Sequence, residues 1–314
     1  MKIFAGSSHP ELAQEISTYL NCELGKIKLS IFSCGELYAR FLENIRGMEI
    51  FIVQTTTEHI NRTMMELLIM IDAARRASAK NIHVVLPHFP YSRQDKKSAS
   101  REPISGRLIA NLLETAGADR IITMDLHADQ IQGFFNIPVD HMSALPLFDR
   151  YFRNKNVFGK DVVVVAPDTG RAKAAKKFSD RLGGGTDLAI IHKQRDPNKH
   201  NASESLQLIG DVEGKIAILY DDIVDTGGSV INGLETLKKH KAKEVYLAAT
   251  HPIFSGPAYE RLSKADFKEV VVTNSVPIAK DKRWPTLKII SSAPLLGEAI
   301  NRIHENSSIS ELFD

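Results

Sequence analysis

Residues 215–229, KIAILYDDIVDTGGS, set Asp221, Asp222, Asp225, Thr226, Gly227, Gly228 and Ser229 directly behind an apolar run. Glycines at 227 and 228 let the backbone approach an anion closely and take up positive φ. A helix starting there presents unpaired N–H groups and the positive end of its dipole, and the hydroxyls of Thr226 and Ser229 add donors to phosphate oxygens. Such a turn binds a phosphate. The adjacent acids need a further reason. Neighbouring ribose hydroxyls are good donors to carboxylates, and a cation can bridge carboxylate and phosphate. A sugar phosphate satisfies both halves of the motif. An Asp-capped turn at a helix start would account for Asp225 and the glycines, but it leaves Asp221 and Asp222 without a role.

Four further groups of polar residues stand out. The run LPHFPYSRQDKK, 86–97, collects Arg93, Gln94, Asp95, Lys96 and Lys97 behind a strand. Cations clustered there can hold a polyphosphate, or form a solvated charged turn. In IITMDLHADQIQGFF, 121–135, Asp125 and His127 lie two apart, which places both on one side of an extended chain. One can ligate a metal while the other orients it, although a lone Asp-x-His pair is a common coincidence. Asp168 stands in VVVVAPDTG, again behind an apolar strand, and Lys193 and Arg195 stand in IHKQRD. The surrounding KQRDPNKHN, on its own, reads as an exposed basic loop.

These groups need a scaffold that brings strand ends together. Apolar, β-branched runs predict strands at 2–5, 49–54, 82–86, 120–125, 161–166, 188–192, 215–220, 244–249 and 269–273, and amphipathic stretches predict helices at 63–78, 105–116 and 229–240. Runs apolar on both faces, such as VVVV at 162–165, suit parallel strands covered on both sides. The alternation predicts an α/β fold with right-handed crossovers, in which ligands bind outside the carboxyl ends of strands. Two such series predict domains at 1–145 and 146–302, joined without a flexible linker.

Composition bounds the function. A chain of 314 residues accommodates two domains of ordinary size, with 43% apolar and 25% charged residues. Its net charge of +2, from 40 basic and 38 acidic residues, gives no reason to expect a nucleic-acid groove or a membrane-binding face. Small anionic substrates need only local charge. Cys22 and Cys34 form no Cys-x-x-Cys pair, which fits a reducing compartment. The start MKIFAGSSHP lacks a signal-peptide pattern and no apolar run is long enough to span a bilayer, so the expected location is cytoplasmic.

The 221–229 turn resembles the phosphoribosyl-diphosphate loop of both phosphoribosyltransferases and ribose-phosphate pyrophosphokinases, and alone it does not choose between them. The segments outside it do. The runs at 86–97 and 100–141, THPIFSGPA at 250–258, VVVTNSVP at 270–277 and RIHENSSISELF at 302–313 resemble the pyrophosphokinase family over nearly the whole chain. Phosphoribosyltransferases are usually shorter and lack the ATP-binding half. The resemblance implies two phosphoribosyltransferase-like domains, each a mostly parallel sheet flanked by helices, with the tail 303–314 packing back on the first. It implies transfer of the β,γ-diphosphate of ATP to the 1-hydroxyl of ribose 5-phosphate, with Mg²⁺, giving 5-phosphoribosyl 1-diphosphate and AMP.

Residue roles follow from the same resemblance. ATP would sit between Phe32 and Glu36 of one subunit and Arg93, Gln94 and Asp95 of its neighbour. His127 and Asp168 match Mg²⁺-associated positions. Asp221, Asp222, Asp225, Thr226, Gly227, Gly228 and Ser229 match the ribose 5-phosphate loop, and Lys193 and Arg195 a catalytic loop that closes over the reacting phosphates. The family's common class is a homohexamer of dimers activated by phosphate and inhibited by ADP, with Arg46, Gln132, Ser308 and Ser310 in segments resembling that regulatory site. This chain departs from the pattern at Cys34, near the adenine, at Arg171 in place of a glycine, at Ala174 in place of an arginine, and in a longer 193–210 stretch. The competing readings are a non-catalytic regulatory relative and a phosphoribosyltransferase.

Overall fold

The computed structural model describes residues 1–194 and 205–312. The chain begins with β1 (Lys2–Ala5), α1 (Pro10–Tyr19), β2 (Ile27–Ile31), β3 (Leu37–Phe41) and β4 (Glu49–Val53). It continues with α2 (Ile60–Arg76), β5 (Asn81–Val85), α3 (Ser105–Ala116), β6 (Arg120–Met124) and β7 (Val139–Met142). Next come α4 (Leu145–Asn154), β8 (Val162–Ala166), α5 (Ala172–Leu182), β9 (Asp187–Gln194), β10 (Ser205–Ile209) and β11 (Ile216–Val224). Last are α6 (Gly228–Lys239), β12 (Glu244–Pro252), α7 (Ala258–Lys264), β13 (Val270–Thr273), β14 (Leu287–Ile290) and α8 (Ala293–His304).

Two compact units divide this chain. One holds Met1–Ser143, Asn274–Pro277 and Ser291–Asp314; the other holds Ala144–Thr273 and Ile278–Ile290. In the first, strands order β1-β4-β5-β6-β7 and all pair parallel, so the sheet winds in one direction. Alternate residues face opposite sides of each strand. Phe4, Ile50, Ile52, Val84 and Ile121 therefore share one buried cluster with Leu67, Met70 and Ile71 of α2 and Leu113 of α3. The antiparallel hairpin β2–β3 is a separate two-stranded sheet whose Phe41 packs edge-on against Phe4, ring centroids 4.7 Å apart.

Helix α8 groups with the first unit, whereas the sequence reading carried the second domain to 302. The reason is its contact with α1: Tyr19 donates to Glu298 at 3.2 Å, and a Cβ at Gly297 would lie only 2.5 Å from the Tyr19 ring. The end of α8 is tied to β4, since Glu49 accepts from His304 at 2.7 Å and from His83 at 2.9 Å.

The second unit orders its strands β10-β9-β8-β11-β12-β13-β14, parallel except for the β9–β10 pair. Valine fills β8, and every one of its residues is buried. On one side Val163, Val165, Ala217, Leu219, Val245 and Leu247 meet Val230, Leu234 and Leu237 of α6. On the other, Tyr220 of β11 packs on Phe148 of α4 and Phe178 of α5 with ring centroids 6.0 and 5.1 Å apart. Trp284 lies 5.9 Å from the Phe254 ring and 6.4 Å from Tyr259.

The architecture is α/β, with one parallel and one mixed sheet flanked by helices. No helix among the described residues is long and apolar enough to cross a membrane.

Candidate functional site

Strand order in the second unit marks the site. From β8 the chain moves to β9 on one side, and from β11 it moves to β12 on the other, so β8 and β11 are neighbours whose connections leave in opposite directions. Such a reversal opens a crevice at the carboxyl ends of the two strands. Asp168 follows β8 and the acid–glycine turn closes β11, so both sequence motifs fall at that crevice.

The acids sit inside the strand rather than behind it. The predicted strand ended at 220, but β11 runs to Val224 because β12 keeps pairing with it, Asp221 opposite Ala249 and Val224 opposite Pro252. On its other edge β11 pairs with β8 only from Ile216 to Leu219. Asp221 and Asp222 therefore project where one neighbour has ended and the other still holds the backbone. Their side chains are 15% and 6% exposed. The Asp222 N–H donates to Asp221 Oδ1 at 2.9 Å.

Arg171 closes on this pair from the β8 side. Its Nη2 lies 2.8 Å from Asp222 Oδ2 and its Nε lies 3.9 Å from Asp221 Oδ1. Burial pushes the Asp221 carboxyl well above the usual carboxylate range, the Asp222 charge adds to that, and Arg171 opposes both. Without that guanidinium the Asp221 carboxyl would hold a negative charge still less readily.

The turn after β11 is built for close approach. Gly227 has φ 78° and is the N-cap of α6, with no side chain to cap the first N–H groups. A Cβ there would meet only ordinary contacts near Leu262, so left-handed backbone is the reason for glycine. Two residues that sequence reasoning gave no role hold the turn. Ser255 donates its hydroxyl to Asp225 and its N–H to the Asp225 carbonyl, the latter at 3.1 Å. Arg261 donates to the Thr226 carbonyl at 3.1 Å. The signal for Ser255 was the family-like segment 250–258, and Arg261 lies just beyond it. Thr226 and Ser229 are exposed.

Asp168 is exposed and caps the short turn Thr169–Arg171, accepting from the Arg171 N–H at 3.1 Å through Oδ1. Lys193 lies near the carboxyl end of β9, paired with Leu206. Arg195 lies outside the described residues.

The remaining candidates belong to the first unit. Phe32 and Glu36 bracket the β2–β3 hairpin tip, where the Phe32 N–H donates to the Glu36 carbonyl at 2.8 Å. The Phe32 side chain is 52% exposed and lies edge-on to Tyr38. Cys34 is exposed at the same tip. Arg93 and Gln94 are exposed in the β5–α3 loop. Gln94 accepts from Ser105 at 2.6 Å, and Asp95 accepts from Gln130 at 2.8 Å, which fastens that loop at two points. The same-side expectation for Asp125 and His127 does not carry over: Asp125 takes φ 32°, so the chain is not extended there and the two-residue period lapses. His127 is half-buried. Among the described residues, no three His, Cys, Asp or Glu side chains converge as a metal cage.

Comparison with known proteins agrees over the full length. Residues 1–117 match the model of the N-terminal domain of ribose phosphate pyrophosphokinase. Residues 197–314 match that of the phosphoribosyl synthetase-associated domain. The chain is 50% identical over 314 residues to a ribose-phosphate pyrophosphokinase of Fusobacterium nucleatum, covering 100% of this chain and 98% of the relative. It is 48% identical over 313 residues to that of Bacillus subtilis, covering 100% and 97%. The crystal structure of phosphoribosylpyrophosphate synthetase from Mycobacterium smegmatis superposes with TM-score 0.91 at 47% identity, over 98% of this chain and 99% of that one.

Proposed function

The chain belongs to the ribose-phosphate pyrophosphokinase family, and from that premise we propose how its own residues divide the work. It is a diphosphotransferase that moves the β,γ-diphosphate of ATP to the 1-hydroxyl of ribose 5-phosphate, releasing AMP. The observation that carries this reading is identity of 50% sustained over both units, which a phosphoribosyltransferase lacking the first half would not give.

In the assignment we favour, the N–H groups at the start of α6 and the hydroxyls of Thr226 and Ser229 receive the 5-phosphate. Asp221 and Asp222 accept from the ring hydroxyls and so orient the sugar. Asp225 secures the turn through Ser255. The anomeric oxygen attacks the β-phosphorus and the α–β bridging bond breaks toward AMP. Negative charge gathers on the oxygens around the transferring group, so positioning and positive charge do most of the catalysis. Lys193 and Arg195 are the cations we assign to that task. Phe32 offers a ring to the adenine, Glu36 an acceptor, and Arg93, Gln94 and Asp95 polar contacts to the nucleotide from a neighbouring subunit.

A divalent metal fits these residues. Asp168 Oδ1 is engaged by the Arg171 amide, while Oδ2 has no partner among the described residues, so a hard oxygen donor is presented to the crevice. Mg²⁺ is held by one or two carboxylates together with substrate phosphates, and needs no full protein cage. We assign Mg²⁺ contacts to Asp168 and His127, as the family resemblance implies; when bound it would neutralise phosphate charge. We further assign the ATP side to the N-terminal domain and ribose 5-phosphate to the C-terminal one, in a cytoplasmic homohexamer. Phosphate and ADP would act through Arg46, Gln132, Ser308 and Ser310.

The test incubates pure protein with ATP, Mg²⁺, ribose 5-phosphate and inorganic phosphate, and measures AMP and phosphoribosyl diphosphate together. Equal amounts of both are expected. Pyrophosphate release that requires a nucleobase would identify a transferase, and silence in both assays a non-catalytic relative.

A further inference from the structure

Arg171 is the one long cation that reaches both acids of the pair among the ion pairs of the described residues. Its side chain is 16% exposed, against 15% for Asp221 and 6% for Asp222. Three ionisable groups thus share an enclosure largely closed to water. Two adjacent carboxylates in such a place repel one another and lose hydration, and only a close counter-charge with good geometry offsets that cost. The guanidinium is planar and permanently charged, so it fixes the direction of a carboxylate as well as its charge.

The backbone that carries Arg171 is itself fixed. Its N–H is held by Asp168 Oδ1 at 3.1 Å and by the Asp168 carbonyl at 3.3 Å, in a turn where a Cβ on Gly170 would come a tight 3.1 Å from Asp168 Oδ1. The turn after β8 and the end of β11 are therefore joined through one side chain, across the point where the sheet order reverses. A sugar entering this crevice needs the two carboxylates oriented before it arrives, because ordering them on binding subtracts from affinity.

We propose that Arg171 is a positioning residue of the ribose 5-phosphate subsite, holding Asp221 and Asp222 in the orientation that receives the sugar hydroxyls. The inference rests on reading 221–229 as that subsite. Arg171 acts through the acids rather than on the reacting phosphates, so its loss falls on the sugar and spares the nucleotide.

Steady-state kinetics of Arg171→Met and Arg171→Lys, beside the parent protein, provide the test. Arg171→Met, which keeps length without charge, is expected to raise KM for ribose 5-phosphate by about 10-fold or more, the scale of a charge-assisted hydrogen bond. KM for ATP should stay within about 3-fold. Arg171→Lys keeps the charge but loses the planar fork, and should recover part of the affinity. If Arg171→Met does not fold, the lysine variant decides: an intermediate KM for ribose 5-phosphate with an unchanged KM for ATP supports the proposal, and parent values for both overturn it. A KM for ribose 5-phosphate that is unchanged or lower in Arg171→Met also overturns it, as does an equal rise for both substrates. Should the parent protein itself form no AMP from ribose 5-phosphate, the activity assignment fails, and this inference with it.

Discussion

Asp222 keeps only 6% of its side chain in water, and the guanidinium of Arg171 lies 2.8 Å from it. Removing Asp222 leaves the enclosed guanidinium with the more distant Asp221, at 3.9 Å. Asp222→Ala is therefore expected to destabilise the second unit by about 3 kcal/mol, measured by urea unfolding, in addition to abolishing use of ribose 5-phosphate. Asp222→Asn, which keeps a hydrogen-bond acceptor, should cost less stability and still lose most activity. The role proposed for Lys193 is of a different kind, stabilising charge that develops only during transfer. Lys193→Ala should lower kcat by about 10²-fold with little change in either KM, measured by AMP formation. Near-normal turnover would remove it from the mechanism.

The β11–α6 connection shows what the sequence could and could not disclose. Its glycines and acids were legible because few residue types do their work: left-handed backbone at Gly227 and acceptors beside an anion turn. Gly227→Ala is expected to cost about 1–2 kcal/mol from backbone strain alone, since no clash waits for the new methyl, and to weaken sugar-phosphate binding measured by calorimetry. The strand's true end was not legible. Asp221 and Asp222 look like strand terminators, and only continued pairing with β12 keeps them extended. Likewise the Arg171 contact joins positions far apart in sequence, so the arginine was visible as an oddity but not as a partner of Asp222. Buried central strands such as β8 announce themselves by unbroken valine. The β2–β3 hairpin was missed because its residues are only half-buried or exposed, which blurs alternation. The edge strands β10 and β14 were also missed; β14 is short and mostly half-buried.

Across the whole molecule, acid should weaken the first unit through two enclosed imidazoles. Burial lowers the pKa of His83 from its ordinary 6.5 and outweighs the opposing hydrogen bond to Glu49. Burial likewise lowers that of His9, against the Asn274 backbone and Glu11 and Glu15. Both rings are then neutral when folded and take up a proton more readily when unfolded. Stability is fully present above about pH 6.5 and is lost as pH falls toward and through the lowered folded values. Thermal unfolding at about pH 5.5 should thus begin at a lower temperature than at about pH 7.5, and His83→Gln should flatten the difference. Glu49 remains ionised over this range: burial alone would raise its pKa, but the hydrogen bonds from His304 and His83 bring it below the usual value. The other unit carries its own reporter. Trp284, the sole indole of the chain, rests on Phe254, whose N–H donates to the Val224 carbonyl and whose neighbour Ser255 grips Asp225. Its ultraviolet emission is therefore expected to respond when the proposed sugar-phosphate turn fills, and a label-free titration with ribose 5-phosphate, run without turnover, checks this.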